Sequence, residues 1–486
     1  MLEIVFSLLA FLSSFLPQPT ITEGLVGQPK SLIPIEITTN QPDQDIARFI
    51  HRALLKYNER GDLVPDLAES YKVSDDSKEY TFNLQKNLHW HNGKEFTSDD
   101  VIFTLSKENL GVIEADKLGK YTVRFRLIKD AYTPFLDLMT RFILPEDFGK
   151  VIKSSLYVNG LGDFRVARVK KSERVDSIIL TPAWPWKKND YKFSRIIFKF
   201  YKNQDDLVTA ANIGEVDAFS QIARAGNFIP GFNHLVKTLS SRYYAIFFNL
   251  NDDKLKDKEL RKLLSSITPK ELIVKEVFGG SVTIANSPLE ATFVKPETEV
   301  KREPGTIPTG KKYGGLVLRL VVPENSASAG DKGPSLYKVA VILKEAYGQS
   351  GINLEIKTVP GSKIFDEVIT KKQFELLLYG QEVGRDPDVY SLWHSTQKDL
   401  PGLNFTGFAS PLADRALEEG RKEPKKEERQ RHYLNFIKAF NEEVPAIFLY
   451  HPNIIYYYKD SISGPTLENL YIPADRFLNF QTWSRS

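Results

Sequence analysis

The sequence predicts an α/β protein in which mixed sheets are flanked by helices. Segments with the alternation and aromatic content of strands occur along the chain, among them YTFNLQ (80–85), RIIFKFY (195–201) and YYAIFFNL (243–250). Segments with the apolar spacing of helices lie between them, such as DDLVTAANIG (205–214) and YKVAVILKEAYGQSG (337–351). This interleaving disfavours both an all-α and an all-β fold.

The order of these segments predicts several domains. A chain of 486 residues is longer than one hydrophobic core usually supports, and about 150 residues per domain gives roughly two to four domains. The strands LVLRLVVP (316–323) and INLEIKTVP (352–360) flank a helix, so we expect them to pair in parallel as a β-α-β unit. The segment 287–315, rich in proline, glycine and charge, is predicted to be an irregular surface connection.

Near its N-terminus the chain predicts a helix over residues 43–57, where apolar residues recur at helical spacing. Before it, residues 1–19 are predicted to be a signal peptide or an N-terminal membrane anchor. Their apolar run, residues 2–16, would span about 22 Å as a helix, which is short of the roughly 30 Å hydrocarbon core. The run lacks a basic start and a clear cleavage site. Export is expected, while cleavage, anchoring and a buried helix all stay open.

Charge and cysteine content exclude several classes of function. Lysine and arginine number 65 against 62 acids, so bulk electrostatics do not indicate nucleic-acid binding. The mixed-charge run 421–433 is interpreted as a solvated helix face. The chain has no cysteine, which excludes disulfides, thiolate catalysis, cysteine-bound zinc and a lipid-modified cysteine anchor.

Residues 88–105 contain a feature that resembles a metal site. His89 and His91 would point to the same side of a strand, but zinc needs at least three protein ligands and the other histidines are scattered. No metal is therefore predicted. The Asn92-Gly93 pair predicts a tight turn, and Thr97 is predicted to cap the following helix by accepting from the Asp100 amide.

Motifs of nucleophilic catalysis, phosphate binding and dinucleotide binding are absent from the sequence. Asp386 and Asp388 flank Pro387, a pattern more typical of a turn than of a glycosidase pair. The protein is therefore predicted not to be an enzyme and to need no cofactor. Aromatic residues make up 12% of the chain, and the clusters at 181–190, 386–395 and 454–460 are suited to line a cleft around an organic ligand.

One segment closely resembles the signature of the family-5 extracellular solute-binding proteins, the oligopeptide-, dipeptide- and nickel-binding components of ABC importers. It is LVPDLAESYKVSDDSKEYTFNLQKNLHWHNGKEFTSDDVIFTL (63–105). The residues that match the family pattern are Leu63, Pro65, Leu67, Ala68, Ser70, Trp90, Asn92, Gly93, Thr97, Asp100 and Val101. The likeness continues through GLGDFRV, IGEVDAF, FFNLNDDKLKDKELRKLLSSI, GRDPDVY and EEVPAIFLY, from about residue 22 to residue 480.

The resemblance implies a two-lobed periplasmic-binding-protein fold of type II with an extra inserted domain. Lobe I would be discontinuous, made of residues 20–38, 155–245 and 455–486. The inserted domain would comprise residues 39–154, and lobe III would comprise residues 246–454.

It also implies an extracytoplasmic receptor, in the periplasm or on the cell surface, that binds peptides or peptide-like solutes by lobe closure. Its partners would be the solute and ABC permease subunits, without nucleic acid, and it would be monomeric. Two alternatives remain open. One is a nickel or metal-chelate binder of the same fold that uses His89, His91 or His394, and the other is a surface-anchored scaffold or sensor.

The sequence differs from the peptide binders of this family at one position that is expected to contact the ligand. These relatives carry an aspartate three residues before the aspartate-proline-aspartate motif, where it pairs with the peptide's ammonium group. Here that position is Val383, which supplies no counter-charge, and Glu382 is the nearest substitute. Glu382 is predicted to hold a cation and Arg385 a carboxylate. The full set of expected ligand contacts is Asn40, Gln41, Tyr379, Gln381, Glu382, Arg385, Tyr390 and Trp393.

Overall fold

The computed structural model describes residues 19–37, 40–108, 113–128, 134–149, 154–222, 229–289, 310–324, 336–468 and 470–486. Residues 1–18 and most of the predicted connection 287–315 lie outside this part of the chain.

Strands and helices alternate as the sequence predicts. The strands are β1 (Thr20–Val26), β2 (Leu55–Tyr57), β3 (Leu63–Pro65), β4 (Ala68–Val73), β5 (Glu79–Leu84), β6 (Ile113–Gly119), β7 (Thr122–Leu127), β8 (Phe164–Lys171), β9 (Val175–Pro182), β10 (Arg195–Tyr201), β11 (Ala218–Ile222), β12 (Phe232–Thr238), β13 (Arg242–Phe248), β14 (Val282–Ile284), β15 (Val317–Glu324), β16 (Asn353–Pro360), β17 (Leu376–Glu382), β18 (Ala446–Lys459), β19 (Ile462–Ser463) and β20 (Ser484–Arg485). The helices are α1 (Gln41–Ile50), α2 (Ser98–Glu108), α3 (Phe135–Leu138), α4 (Gln204–Asn212), α5 (Lys258–Ser266), α6 (Lys270–Phe278), α7 (Leu336–Gln349), α8 (Tyr390–Trp393), α9 (Pro411–Lys422) and α10 (Lys426–Glu443).

The largest sheet has 12 strands in the described part of the chain. Its main path runs β16-β15-β17-β13-β18-β11-β1-β10-β9-β8, and β12 and β14 also pair with β18. Strand β18 has 14 residues, mostly apolar or aromatic, and is buried along nearly its whole length. Its first part pairs with β13, and its second part pairs with β11 and β12. One strand therefore belongs to both halves of the molecule.

The predicted β-α-β unit is confirmed. β15 and β16 pair in parallel, with Val317 opposite Asn353, and α7 connects them in the chain. The buried residues Val339, Leu343 and Tyr347 place one face of α7 against this part of the sheet. The hydrophobic pattern at helical spacing thus sets which face of the helix packs inward.

A separate antiparallel sheet of four strands has the order β4-β5-β7-β6. In β5 and β7 buried residues alternate with partly exposed ones, so one face of the sheet packs on a hydrophobic cluster drawn from residues 54–161. Trp90 and Phe96 belong to this cluster, which explains the apolar positions around the two histidines. Two further clusters lie on the two faces of β13, and another joins residues 21–50 with the C-terminal segment. The predicted domain boundaries stay a prediction.

The predicted helix over 43–57 is wrong in its second part. Helix α1 ends at Ile50, and His51 is extended, with its ring Nε2 2.8 Å from the carbonyl oxygen of Leu32. Residues Leu55–Tyr57 form strand β2, which pairs with β3. The apolar residues after Ile50 are used in strand pairing and core packing, so tertiary contacts override the local helical pattern.

The turn at residues 90–94 and the helix after it are confirmed, with one change in the cap. Gly93 has φ of +86°, and the Trp90 amide donates to the carbonyl oxygen of Lys94 at 2.8 Å. The hydroxyl of Thr97 accepts from the amide of Asp99, not Asp100, at 3.3 Å. The carboxylate of Asp100 accepts from the Thr97 amide at 2.9 Å, which completes a reciprocal cap.

The charged run 421–433 is not wholly a solvated face. It spans the end of α9 and the start of α10, and most of its residues are exposed or half-buried. Arg429, however, is buried, and its guanidinium donates to the carboxylate of Asp386 at 2.6 and 2.8 Å. This residue fixes the loop after β17 to helix α10.

Candidate ligand-binding site

Strand β17 brings three of the predicted site residues to one cavity. Tyr379, Gln381 and Glu382 line a cavity of about 490 Å³ in the second half of the chain. Its walls also include aromatic rings from separate segments, among them Phe365 and Phe405. A pocket of this size and apolar character is suited to an organic group.

The charged groups at this cavity are already paired. Arg242 lies opposite Glu382 across β13 and β17. Its guanidinium donates to the Glu382 carboxylate, with the Nε atom 3.1 Å away. Burial is the largest single influence on the pKa of Arg242 and lowers it, but hydrogen bonds and charge interactions with Glu382 and Tyr244 together outweigh burial, so the net shift is upward. Because the charge of Glu382 is compensated within the chain, the cavity offers mainly phenol and amide groups to a ligand.

Tyr379 and Gln381 supply those neutral groups. Burial raises the pKa of the Tyr379 phenol, so it stays protonated at neutral pH and can donate or accept a hydrogen bond. The Gln381 side chain is half-buried and donates from Nε2 to the carbonyl oxygen of Glu382 at 3.0 Å. These two groups can orient a ligand without recognising a charge.

The loop after β17 begins with the departure seen in the sequence. Val383 is partly buried against the core, its amide donates to the carbonyl of Ser241 at 2.8 Å, and its own carbonyl accepts from the Tyr471 hydroxyl at 2.9 Å. Position 383 is thus an apolar packing position held by backbone hydrogen bonds.

Arg385 joins three distant parts of the chain. Its guanidinium pairs with Asp475, lies 4.5 Å from the centre of the Tyr57 ring and 5.0 Å from that of Tyr471. The Tyr57 hydroxyl in turn donates to the carboxylate of Asp137 at 2.5 Å. The predicted carboxylate binder is therefore engaged inside the chain, where it holds the loop after β17 against residues of the predicted inserted domain and of the C-terminal segment.

Asp475 is a buried acid with several donors. Its side chain is 1% exposed, and its Oδ2 atom accepts from the amides of Tyr471 and Ile472 at 2.9 and 3.0 Å. Its Oδ1 atom lies 3.6 Å from Arg48. The next residue, Arg476, is also buried and pairs with Glu23 and with Asp45.

Asn40 and Gln41 lie at the start of α1, away from the 490 Å³ cavity. Asn40 donates to the carbonyl oxygen of Gln28 at 3.1 Å. Gln41 donates to the hydroxyl of Ser220 at 3.0 Å and lies 3.4 Å from the Asp45 carboxylate. Since Asp45 pairs with Arg476, which neighbours Asp475, one polar network links Gln41 to Arg385.

The aspartates of the turn motif are structural. Asp386 pairs with Arg429 and Asp388 pairs with Arg421, with a shortest distance of 3.0 Å in the second pair. The Asp388 amide donates to the Asp386 carboxylate at 2.9 Å, as expected of the predicted turn. Each acid has its own arginine, so they do not form a catalytic carboxylate pair.

The last two predicted residues differ in exposure. Tyr390 is half-buried, and its ring stacks on the His394 ring with the centres 4.1 Å apart. The guanidinium carbon of Arg421 lies 4.3 Å from the centre of the Tyr390 ring. Trp393 is only 2% exposed and packs edge-on against Phe440 in the core. The structure places Trp393 in the protein interior, not on the cavity.

The histidines have partners of their own. His91 accepts from the amide of Gly160 at 3.3 Å through Nδ1 and lies 2.9 Å from the carbonyl oxygen of Gly162 through Nε2. Burial lowers the pKa of His91 to about 4, so the ring is neutral at pH 7. His394 contacts Thr396 and Glu418. No cluster of three or more metal-ligating side chains occurs among the described residues.

Sequence reasoning missed Arg242, Tyr57, Tyr471 and Asp475. Asp475 lies 90 residues from Arg385 in the chain, and no local motif marks the pair. Arg242 could have been predicted as the partner of Glu382 only from the pairing register of β13 and β17, which places the two residues opposite each other.

One long strand is shared by both parts of the large sheet, and an aromatic cavity lies beside β13 and β17, an arrangement suited to binding a solute. The family model "Bacterial extracellular solute-binding proteins, family 5 Middle" matches residues 62–399. The chain belongs to this family, as the sequence resemblance predicts.

Relatives and solved structures support the same assignment. The chain is 25% identical to "Oligopeptide-binding protein AppA" of Bacillus subtilis (strain 168), over 95% of this chain and 90% of that protein. The structure matches NikZ from Campylobacter jejuni in complex with Ni(L-His), with a TM-score of 0.75, 22% identity and coverage of 97% and 100%. It also matches AppA from Bacillus subtilis in complex with a nonapeptide, with a TM-score of 0.73, 20% identity and coverage of 97% and 100%.

These matches show the two-lobed periplasmic-binding-protein fold with its mixed sheets flanked by helices. The family is one of extracellular solute-binding proteins. In the described part of the chain no helix is both long and apolar enough to span a membrane.

Proposed function

We propose that this protein is the extracytoplasmic substrate-binding component of an ABC importer, and that it binds peptides or peptide-like solutes in the cleft between its lobes. The observation that carries the proposal is the aromatic cavity on β17, which adjoins the loop that holds Arg385 against Tyr57 and Tyr471. The oligopeptide-binding relative and the nonapeptide complex support a peptide as the solute.

Binding would act through closure of the lobes. The loop after β17 comes from the second half of the chain, whereas Tyr57 and Tyr471 come from the first half and the C-terminal segment. A ligand that contacts both sides stabilises the closed arrangement in which Arg385 reaches these rings. No bond is made or broken in this proposal, so the protein needs neither a catalytic group nor a cofactor.

The paired charges at the site suggest how the peptide is recognised. Glu382 is neutralised by Arg242, Arg385 by Asp475, and position 383 is valine. We propose that Tyr379 and Gln381 contact the peptide through hydrogen bonds and ring packing, and that its free amino end contributes little to affinity. Asn40, Gln41, Glu382, Arg385 and Tyr390 stay predicted contacts of lesser weight, whereas Trp393, at 2% exposed, would reach a ligand only after a rearrangement.

Isothermal titration with mixed di- to pentapeptides and with nonapeptides tests the proposal. Binding of at least one set is expected, and Tyr379→Ala should weaken it about tenfold or more, equal to about 1.4 kcal/mol. Tyr71→Ala, which removes a half-buried ring from the separate four-stranded sheet, is the matched control and should leave affinity unchanged. If no peptide set binds to the folded protein, the proposal that the solute is a peptide is refuted.

A metal chelate is the second candidate, because the NikZ structure holds Ni(L-His). A small chelate would enter the same cleft and be bound through its organic part, since the described residues offer no metal-ligating cluster. Nickel with histidine should then raise the melting temperature, whereas nickel alone should not. An unchanged melting temperature with both would remove this candidate.

We further propose that the protein acts in the periplasm or on the cell surface as a monomer that docks on ABC permease subunits. Residues 1–19 would serve as a signal peptide or as an N-terminal membrane anchor. Mass spectrometry of the protein from its native cells distinguishes a cleaved chain from an anchored one. A scaffold or sensor without a transport role would be favoured if the purified protein bound no solute and no permease.

A further inference from the structure

The connection between β9 and β10 presents two tryptophans together on the surface. Trp184 and Trp186 stack with ring centres 5.2 Å apart and planes 9° apart, and Trp186 is 66% exposed. The chain has five tryptophans, and the other three, Trp90, Trp393 and Trp483, are at most 2% exposed. Trp184 is half-buried and Trp186 is exposed, so the stacked pair forgoes the burial that the other three obtain, which points to a partner that covers it.

The connection is held firmly on its inner side. Phe193 is buried in the core, and the hydroxyl of Tyr191 donates to the carboxylate of Asp163 at 2.8 Å. Lys187 pairs with Asp163 at 3.3 Å and with Asp190 at 3.1 Å. The tryptophans therefore project from a fixed base.

Exposed cations occur in the same connection and on the neighbouring strand. Lys188 and Lys192 are exposed in the same connection, and Arg165 is exposed at the start of the neighbouring strand β8. The acids at this place, Asp163 and Asp190, are both paired with Lys187. Indole rings flanked by lysine and arginine are the combination that lies at membrane–water interfaces, where the rings enter the headgroup region and the cations meet anionic lipid.

The pair also lies where the chain leaves its apolar N-terminal segment. The amides of Ser194 and Arg195 donate to the carbonyl oxygen of Pro19 at 3.0 and 3.2 Å. Strand β1 begins at the next residue, Thr20, and pairs there with Arg195 at the start of β10. The connection that carries Trp184 and Trp186 thus lies at the same end of the sheet as Pro19, the residue that follows the apolar N-terminal segment.

We infer that Trp184, Trp186, Lys188, Lys192 and Arg165 form a membrane-contact face that rests on an anionic lipid surface. This inference builds on the proposed N-terminal anchor and is independent of the solute. An anchor that leaves the fold at Pro19 brings this end of the sheet to the bilayer. The stacked indoles and the cations then fix the orientation of the receptor on the membrane.

Full-length protein and vesicles of phosphatidylglycerol with phosphatidylethanolamine provide the test. Lipids brominated near the headgroup should quench part of the tryptophan emission, and the quenching should disappear in W184F/W186F, whose remaining tryptophans are buried. A flotation assay with the same vesicles reports attachment by itself. Titration with peptide tests the solute site alone, so a protein that binds no peptide can be distinguished from one that does not bind the vesicles.

The cations are tested by K188Q/K192Q. Each lysine near an anionic surface contributes about a fivefold change in partitioning, so the double variant should partition more weakly onto phosphatidylglycerol vesicles and be unchanged on phosphatidylcholine. K338Q/K344Q, which removes two exposed lysines of α7, is the matched control.

Three outcomes would overturn the inference. Flotation without quenching of Trp184 and Trp186 would mean that the chain is attached but this face points away from lipid. Quenching that appears only after reconstituted permease is added would assign the face to a protein partner. A chain that floats with neither vesicle type would remove both the anchor and the membrane-contact face.

Discussion

Replacing Arg385 with glutamine should weaken solute binding by weakening the closed arrangement of the lobes. The guanidinium pairs with Asp475, whose side chain is 1% exposed, and contacts the rings of Tyr57 and Tyr471. Each ring contact contributes about 0.5–1 kcal/mol. Removing one partner of a buried ion pair costs about 3–5 kcal/mol.

The loss at Asp475 should be smaller than that range because the carboxylate keeps two backbone amides and the nearby Arg48. Taking about 2 kcal/mol for the pair and about 1 to 2 kcal/mol for the rings gives roughly 3 to 4 kcal/mol. If this loss of free energy destabilises only the closed state, the Kd for the solute rises by about two orders of magnitude or more.

Titration calorimetry with a bound peptide measures the affinity, and small-angle X-ray scattering measures the radius of gyration without ligand. Arg385→Gln should raise both Kd and the radius. Arg429→Gln is the control, because it breaks a similarly buried pair with Asp386 that lies wholly within the second half of the chain. An Arg385→Gln protein that melts earlier but keeps its Kd and radius would refute a role in closure.

Three further predictions concern stability and recognition. Burial lowers the pKa of His51 and His91 to about 4, below the usual value near 6.5, so the unfolded chain binds protons first as pH falls. Stability should decrease between pH 6.5 and pH 4, by about 2 kcal/mol per histidine at pH 5, and urea unfolding of His91→Gln should show a shallower pH dependence than the wild type; equal slopes would contradict this. Gly162→Ala should destabilise the fold by about 1–3 kcal/mol or more, since its Cβ would lie 2.2 Å from a backbone oxygen, whereas Gly119→Ala meets nothing within 4 Å and should change the unfolding midpoint little. Val383→Asp should make the protein bind a peptide with a free amino end more tightly than its N-acetylated form. The wild type is expected to bind both forms with similar affinity. A strong preference of the wild type for the free form would contradict the proposed recognition.

Local pattern was enough for much of the fold. The β15-α7-β16 unit was predictable because both strands and the helix carry their own periodicity and lie next to each other in the chain. The end of α1 was not, because the residues after Ile50 keep a helical pattern while their pairing partner β3 decides their structure. Periodicity reports which face is apolar, but not which distant segment will cover it.

The candidate site was predictable in part for a similar reason. Tyr379, Gln381 and Glu382 were found through the family motif and do line one cavity. Trp393 is in the core, because an aromatic residue near a motif suits a cleft and an interior equally well. The partners of Glu382 and Arg385 could not be foreseen, since Arg242 and Asp475 approach them only through tertiary structure.

Strand β18 pairs with β13 on one side of the fold and with β11 and β12 on the other, which affects how the chain can fold during synthesis. Strand β1, near the N-terminus, pairs with β11, and β11 pairs with β18, while the core beneath them includes Phe477 and Trp483. The first half to be synthesised therefore lacks a central strand and part of its core until the last residues emerge. Contacts that span nearly the whole chain form slowly. The part of the fold around β1 and β11 therefore completes its packing only after the C-terminal segment has been synthesised, whereas residues 54–161 have a hydrophobic cluster of their own.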